Sequence, residues 1–168
     1  MRRSRCVGSA HDLVELAAVQ DLRPVRHGGV AAAVLAVAVF VGGCADASVS
    51  VTSGPTAASA PAAGSTLSPS DFAAAAKLPS TVLLDVRTPV EFSAGHLAGA
   101  VNVDVESASF AKSISSLSKA KNYAIYCHSG NRSKAAMTAM QQAGFSHLFD
   151  LAGGISAWQS AGGEVVTG

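Results

Sequence analysis

Apolar and polar positions divide the chain into three stretches. The first holds an unbroken apolar run, VAAAVLAVAVFV at residues 30–41, behind Arg23 and Arg26 and ahead of Gly42, Gly43 and Cys44. The second, residues 45–66, is built from Ala, Ser, Thr, Gly and Pro, with a few valines and a single charge at Asp46. The third, residues 67–168, alternates short apolar runs with apolar residues at helical spacing. In it, Ser68 or Ser70 caps a helix through the alanines at 73–76, with Pro69 and Asp71 early. Val82-Leu83-Leu84 reads as a buried strand ending on Asp85. Val101-Asn102-Val103, Tyr123-Ala124-Ile125-Tyr126 and His147-Leu148-Phe149 read as three more. Phe110, Ile114 and Leu117 mark a weakly amphipathic helix. Residues 133–143 form another, with Ala136, Met137, Met140 and Ala143 inward and Gly144 as its stop. A last helix runs from Ile155 to Ala161, closed by Gly162-Gly163. Strands separated by helices predict an α/β domain with a mainly parallel sheet. Such sheets place their sites beyond the carboxyl ends of strands.

Composition changes this picture in two ways. Aromatic residues are only 5% of the 168, but eight of the nine lie in residues 67–168, the stretch that folds. The net charge is +1, from 12 Lys+Arg against 11 Asp+Glu. That balance argues against a nucleic-acid partner, which requires a basic surplus or stripe. Three cysteines, Cys6, Cys44 and Cys127, are too few for a disulfide framework.

The first stretch has the layout of a secretory signal: a basic flank, a short apolar run and small residues before a cleavage point. Val41-Gly42-Gly43-Cys44 resembles the lipobox of bacterial lipoproteins. That resemblance implies a signal peptide over residues 1–43 and a lipid on Cys44, holding the mature chain to the outer face of the cell membrane. An uncleaved anchor helix is the alternative, as is ordinary cleavage. The 19 uncharged residues from His27 to Ala45 approach the length of a span, but four are glycine. Asp12, Glu15 and Asp21 fit a signal poorly, and a start at Val25 is one hypothesis that removes them. Residues 45–66 are expected to be a flexible linker, lacking the apolar bulk to fold.

The chemistry centres on Tyr126-Cys127-His128-Ser129-Gly130-Asn131-Arg132-Ser133. A strand ends, a cysteine appears, and a short loop with Gly130 feeds a helix. Backbone N–H groups of such a loop can converge on one point, and the helix start adds partial positive charge. Arg132 adds a full charge. This is how a thiolate, the reactive form of cysteine, is stabilised beside an anionic substrate. No metal-ligand spacing occurs among the five histidines, and no dinucleotide glycine motif is present, so no cofactor or metal is expected.

Four ordered motifs carry a resemblance over nearly all of residues 67–168: Leu84-Asp85-Val86-Arg87, the run Glu91 to Asn102 (EFSAGHLAGAVN), the loop CHSGNRS at 127–133, and Gly144-Phe145 with LAGGISAW at 151–158. Together they resemble single-domain rhodanese-like sulfurtransferases. The resemblance implies a three-layer α/β domain, with Cys127 as nucleophile carrying a persulfide. Arg132 would bind an anion, and His128, Ser129, Gly130 and Asn131 would form the loop around it. Asp85 and Arg87 match the first signature, either as a buried pair or, through Arg87, in contact with substrate. His96 is expected to fix the fold by hydrogen bonding and Trp158 to pack under the loop. The implied partners are a small anionic sulfur donor such as thiosulfate and a thiol or cyanide acceptor. Phosphatases with a related loop use five residues between Cys and Arg; here there are four, which suits a sulfur-sized group. A non-catalytic sulfur-relay or docking module in the envelope is the rival reading.

Overall fold

The computed structural model describes residues 49–168. The expected signal peptide and Cys44 lie outside the described residues. Five strands and five helices alternate: β1 (Ser65–Leu67), α1 (Pro69–Ala76), β2 (Thr81–Asp85), α2 (Pro89–Ala94), β3 (Val101–Asn102), α3 (Phe110–Ser115), β4 (Asn122–Tyr126), α4 (Asn131–Gln142), β5 (Leu148–Leu151) and α5 (Gly154–Ser160). The strands form one sheet in the order β1-β5-β4-β2-β3. Every pairing in it is parallel, with Asp85 beside Tyr126 and Ile125 beside Asp150. The α/β expectation therefore holds, with a fully parallel sheet.

A parallel sheet is covered on both faces, so its central strands are apolar throughout. The last four residues of β4 and all of β5 are buried. One face packs Leu84, Ile125, Ala136, Met140 and Leu148 with Phe110 and Ile114 of α3. The other packs Phe72, Leu83, Tyr126, Phe149, Leu151 and Trp158. Two edge-to-face aromatic pairs, Phe72 with Phe149 and Tyr123 with Phe145, fill one layer each.

Local signals place the helices. Ser68 caps α1, its Oγ accepting from the Asp71 N–H at 3.3 Å. Thr88 and Glu91 form a reciprocal capping box on α2, a six-residue helix that hydrophobic spacing did not predict. Two boundaries move from expectation. α4 begins at Asn131 rather than 133, which puts Asn131 and Arg132 in its first turn. β5 runs on to Leu151, which puts Asp150 inside the sheet.

The expected linker needs correction. Within residues 45–66, those from Val49 onward lie on the domain: Val49, Val51 and Ala57 pack against the core beside α1. Ala57 N–H donates to the Ala74 carbonyl at 2.9 Å, and Lys77 Nζ donates to the Pro55 carbonyl at 3.1 Å. β1, which starts at Ser65, adds a strand at the β5 edge of the sheet. The stretch has little apolar bulk, but an alanine-rich helix face accepts a close partner made of small residues. Composition alone does not report that complementarity.

Candidate active site

Cys127 follows the last residue of β4 and is 1% exposed. The N–H of Gly130 donates to its Sγ at 3.1 Å. Gly130 then takes φ +96°, a conformation that favours glycine, and leads directly into α4. The loop is therefore closed within four residues, and the sulfur lies beside the N-terminal end of a twelve-residue helix. Ser133, in the first turn of that helix, brings its Oγ within 3.8 Å of the sulfur. The same hydroxyl lies 2.9 Å from Asp150 Oδ2 and 3.0 Å from the Gly130 carbonyl.

The loop is held from the other side by α5. Gly153 and Gly154 take φ +68° and +59°, bringing the start of α5 onto the loop. Ile155 N–H donates to the Cys127 carbonyl at 2.8 Å, and Ser156 N–H to the His128 carbonyl at 3.2 Å. A Cβ on Gly154 would run into the backbone of Cys127 and His128, so the site needs glycine there for space as well as conformation. Trp158, fully buried one helical turn further on, donates Nε1–H to the Glu164 carbonyl at 2.9 Å. His128 and Ser129 are exposed at the loop tip, with His128 Nε2 3.4 Å from Ser156 Oγ. Asn131 is exposed at the start of α4.

Arg132 is engaged by carboxylates. Its Nη2 and Nη1 donate to the two oxygens of Glu91 at 2.6 and 2.8 Å, and Nη1 also reaches Glu106 at 3.2 Å. The fork holds the Glu91 carboxyl down at about 2, chiefly through the hydrogen bonds from Arg132, with Thr88 adding to them. The same pairing raises the guanidinium above its ordinary value. An anion at Arg132 therefore competes with, or sits beside, two acids from α2 and the β3–α3 connection. Glu91 is a site residue that sequence spacing did not single out. The run Thr88-Pro89-Val90-Glu91 has the capping-box pattern, a local signal that can place Glu91 at a helix start.

Asp85 and Arg87 form a buried pair. Nε and Nη2 of Arg87 grip both carboxylate oxygens at 2.6–3.0 Å, and Nη2 also donates to the Gly95 carbonyl at 2.7 Å. Burial works against the Arg87 charge, but the hydrogen bonds and attraction of Asp85 outweigh it and raise its pKa. Asn102 ties the carbonyls of both residues at 3.0 and 2.8 Å. His96 stacks on Phe92 at 3.8 Å and pairs its Nδ1 with the Phe92 carbonyl at 3.0 Å. Its backbone exchanges two bonds with Val166, fastening the C-terminal end of the chain. Burial raises the Tyr126 phenol well above its ordinary range, and its oxygen accepts from Leu97 N–H at 3.0 Å. A cleft of about 180 Å³ opens beside the loop, with Arg87, Glu91, His128, Ile155 and Gln159 in its wall. Among the described residues, no three His, Cys, Asp or Glu side chains are grouped as a metal ion requires.

The arrangement is a buried thiol with a backbone donor aimed at it, beside a cleft of mixed polar and apolar lining. Residues 68–161 match the rhodanese-like domain family. Thiosulfate sulfurtransferase 16 of Arabidopsis thaliana chloroplasts is 40% identical over 89 residues, covering 47% of this chain and 74% of that protein. A sulfurtransferase of Allochromatium vinosum is 33% identical over 85 residues, covering 51% of this chain and 78% of that one. The crystal structure of a rhodanese-related protein from Thermoplasma volcanium is 31% identical, with a TM-score of 0.55, over 62% of this chain and 99% of that one. The five-stranded parallel sheet, the cysteine loop between β4 and α4, and these matches agree: the chain belongs to the rhodanese-like family.

Proposed function

We propose that the domain is a sulfurtransferase that moves a sulfane sulfur from a small anionic donor, such as thiosulfate, to a thiophilic acceptor through a persulfide on Cys127. The Cys127 thiolate attacks the outer sulfur of the donor. The S–S bond of thiosulfate breaks, and sulfite leaves with the electron pair. An acceptor thiolate, or cyanide in an assay, then attacks the outer sulfur of the persulfide and releases the Cys127 thiolate. This is covalent nucleophilic catalysis with one cysteine and no cofactor. The observation that carries the reading is the Gly130 N–H on Cys127 Sγ at 3.1 Å, in a loop that passes straight from β4 into α4. Preorganised donors of this kind favour charge that develops at the sulfur. The loop amides and Arg132 would offset the charge of donor and leaving group, with Glu91 and Glu106 limiting how much Arg132 contributes. Turnover of thiosulfate with cyanide by the native chain, and its loss in Cys127→Ser, tests this. Absence of turnover in the native chain would move the reading to a docking or sulfur-relay module.

We propose further that residues 1–43 are a leader that fixes where this chemistry takes place. The basic residues, the apolar run and the lipobox-like Val41-Gly42-Gly43-Cys44 fit a lipoprotein held by Cys44 on the outer face of the cell membrane. A diacylglycerol on Cys44, found by mass spectrometry of the mature N-terminus, is the expected result. An unmodified Cys44 still preceded by residues 30–43 would contradict it.

A further inference from the structure

Arg132 faces more acid than it needs. One guanidinium meets two carboxylates, which leaves a formal surplus of one negative charge beside the cysteine loop. Arg132 stands in the first turn of α4, two residues after the Gly130 whose N–H donates to Cys127 Sγ. The two acids are held differently. Glu91 puts both oxygens on the guanidinium at 2.6 and 2.8 Å. Thr88 grips its Oε2 from behind, through N–H at 3.2 Å and Oγ1–H at 2.8 Å. That pair is complete in itself. Glu106 makes one contact, Oε2 to Nη1 at 3.2 Å, and its side chain is 60% exposed. Asp104 holds its backbone in place, Oδ1 accepting from Glu106 N–H at 2.9 Å. An exposed ion pair of this kind adds little to stability. What Glu106 adds is a negative charge on the anion-binding arginine. Neighbouring cations do not offset it. Arg87 is paired with Asp85, and Lys134, two positions along α4, turns away from Arg132.

We infer that Glu106 is a specificity-determining residue of this site: it disfavours sulfur donors with two negative charges relative to donors with one. The inference rests on the proposed function and narrows the class of donor within it. An anionic group that approaches Arg132 meets the surplus carboxylate as well as the guanidinium. Repulsion from that carboxylate scales with the charge the donor brings. Thiosulfate brings two charges. A thiosulfonate brings one: in methanethiosulfonate a methyl group stands where thiosulfate has an oxyanion. The reacting atoms are the same in both. The Cys127 thiolate forms a bond to the outer sulfur, the S–S bond breaks, and sulfite or methanesulfinate leaves with the electron pair. A change in the ratio between the two donors on mutation therefore reads charge at the mouth of the loop and not a change of chemistry.

Sulfur transfer to cyanide by the full chain, measured with each donor at low ionic strength, tests this. Glu106→Gln is expected to raise kcat/KM for thiosulfate about fivefold more than for methanethiosulfonate, chiefly through KM. That is the scale of one unit charge acting on another across a few ångströms of partly aqueous site. Glu106→Lys should move the ratio further in the same direction. The shift should shrink at high salt, as screening of exposed charges requires. An unchanged ratio in both variants, or a shift that high salt leaves intact, overturns the inference. Alkylation of Cys127, read on its own peptide by mass spectrometry, gives a second measurement that needs no sulfur transfer. The rate with iodoacetate, an anion, relative to neutral iodoacetamide should rise by a similar factor in Glu106→Gln, because the reactivity of the sulfur itself cancels in that ratio. An unchanged alkylation ratio also overturns the inference. A chain that shows the alkylation shift but accepts sulfur from neither donor would fail the proposed function and leave charge selection by Glu106 standing.

Discussion

The sheet buries two aspartates, one near each flank of the cysteine loop, and they are treated in opposite ways. Asp85 closes β2 and has Arg87 on both oxygens within its own strand end. Asp150 lies in β5 with one serine and no cation. The first is a closed unit of two opposite charges, tied further to Gly95 and Asn102. The second leaves Oδ1 without a partner, while Oδ2 accepts from the Ser133 hydroxyl, which in turn lies 3.8 Å from the sulfur. A buried charge satisfied on the spot holds the fold. A buried polar group with one hydrogen bond and one orphaned oxygen contributes less to holding the fold.

The largest effect is expected at the sulfur. Cys127→Ser should abolish sulfur transfer while leaving the denaturation midpoint close to native; full residual activity would refute the assignment. Breaking the closed pair comes next. Asp85→Ala strands the Arg87 guanidinium in the core and should cost about 3–5 kcal/mol in urea unfolding. Asp150→Asn, with no cation to strand, should cost much less in the same measurement. Equal losses would erase the distinction between the two aspartates. Gly154→Ala places a Cβ on the loop backbone and forces a positive φ on alanine. It should destabilise by about 1–3 kcal/mol and depress activity beyond what lost stability explains.

The smallest effect belongs to the half-buried pair of Arg132 and Glu91. Glu91 titrates at about 2 in the folded chain against an ordinary 4.5. A depressed carboxyl stabilises the fold above its unfolded value, and the contribution fades as pH falls from about 4.5 toward about 2. Both side chains are partly in water, so the gain should be at most about 1 kcal/mol. Unfolding measured across that window should show Glu91→Gln losing this slope. An unchanged slope would mean that the pair does not hold in solution.

Much of this was legible in the chain, and the gaps have physical causes. The apolar runs at 82–84 and 123–126 and the helix at 133–143 were readable because buried parallel strands and amphipathic helices write period and polarity directly. β1 was not, because a three-residue edge strand reading Ser-Thr-Leu carries no run. α2 was missed because six residues are too few for a helical period, although its capping box was in view. At the site, the loop showed Cys127, Gly130 and Arg132, since a thiol before a glycine and a helix start is a local pattern. What Arg132 binds was not visible: Glu91 is 41 positions away in sequence. Asp150 was hidden too, because only the register of β5 beside β4 brings an acid in an apolar run next to Ser133.

The central claim is that Cys127 carries sulfur, and mass spectrometry of the intact chain and its Cys127 peptide after thiosulfate treatment tests it most directly. The account predicts the gain of one sulfur atom at Cys127, removed by cyanide and absent from Cys127→Ser. An unmodified Cys127 in a chain that remains folded would contradict it.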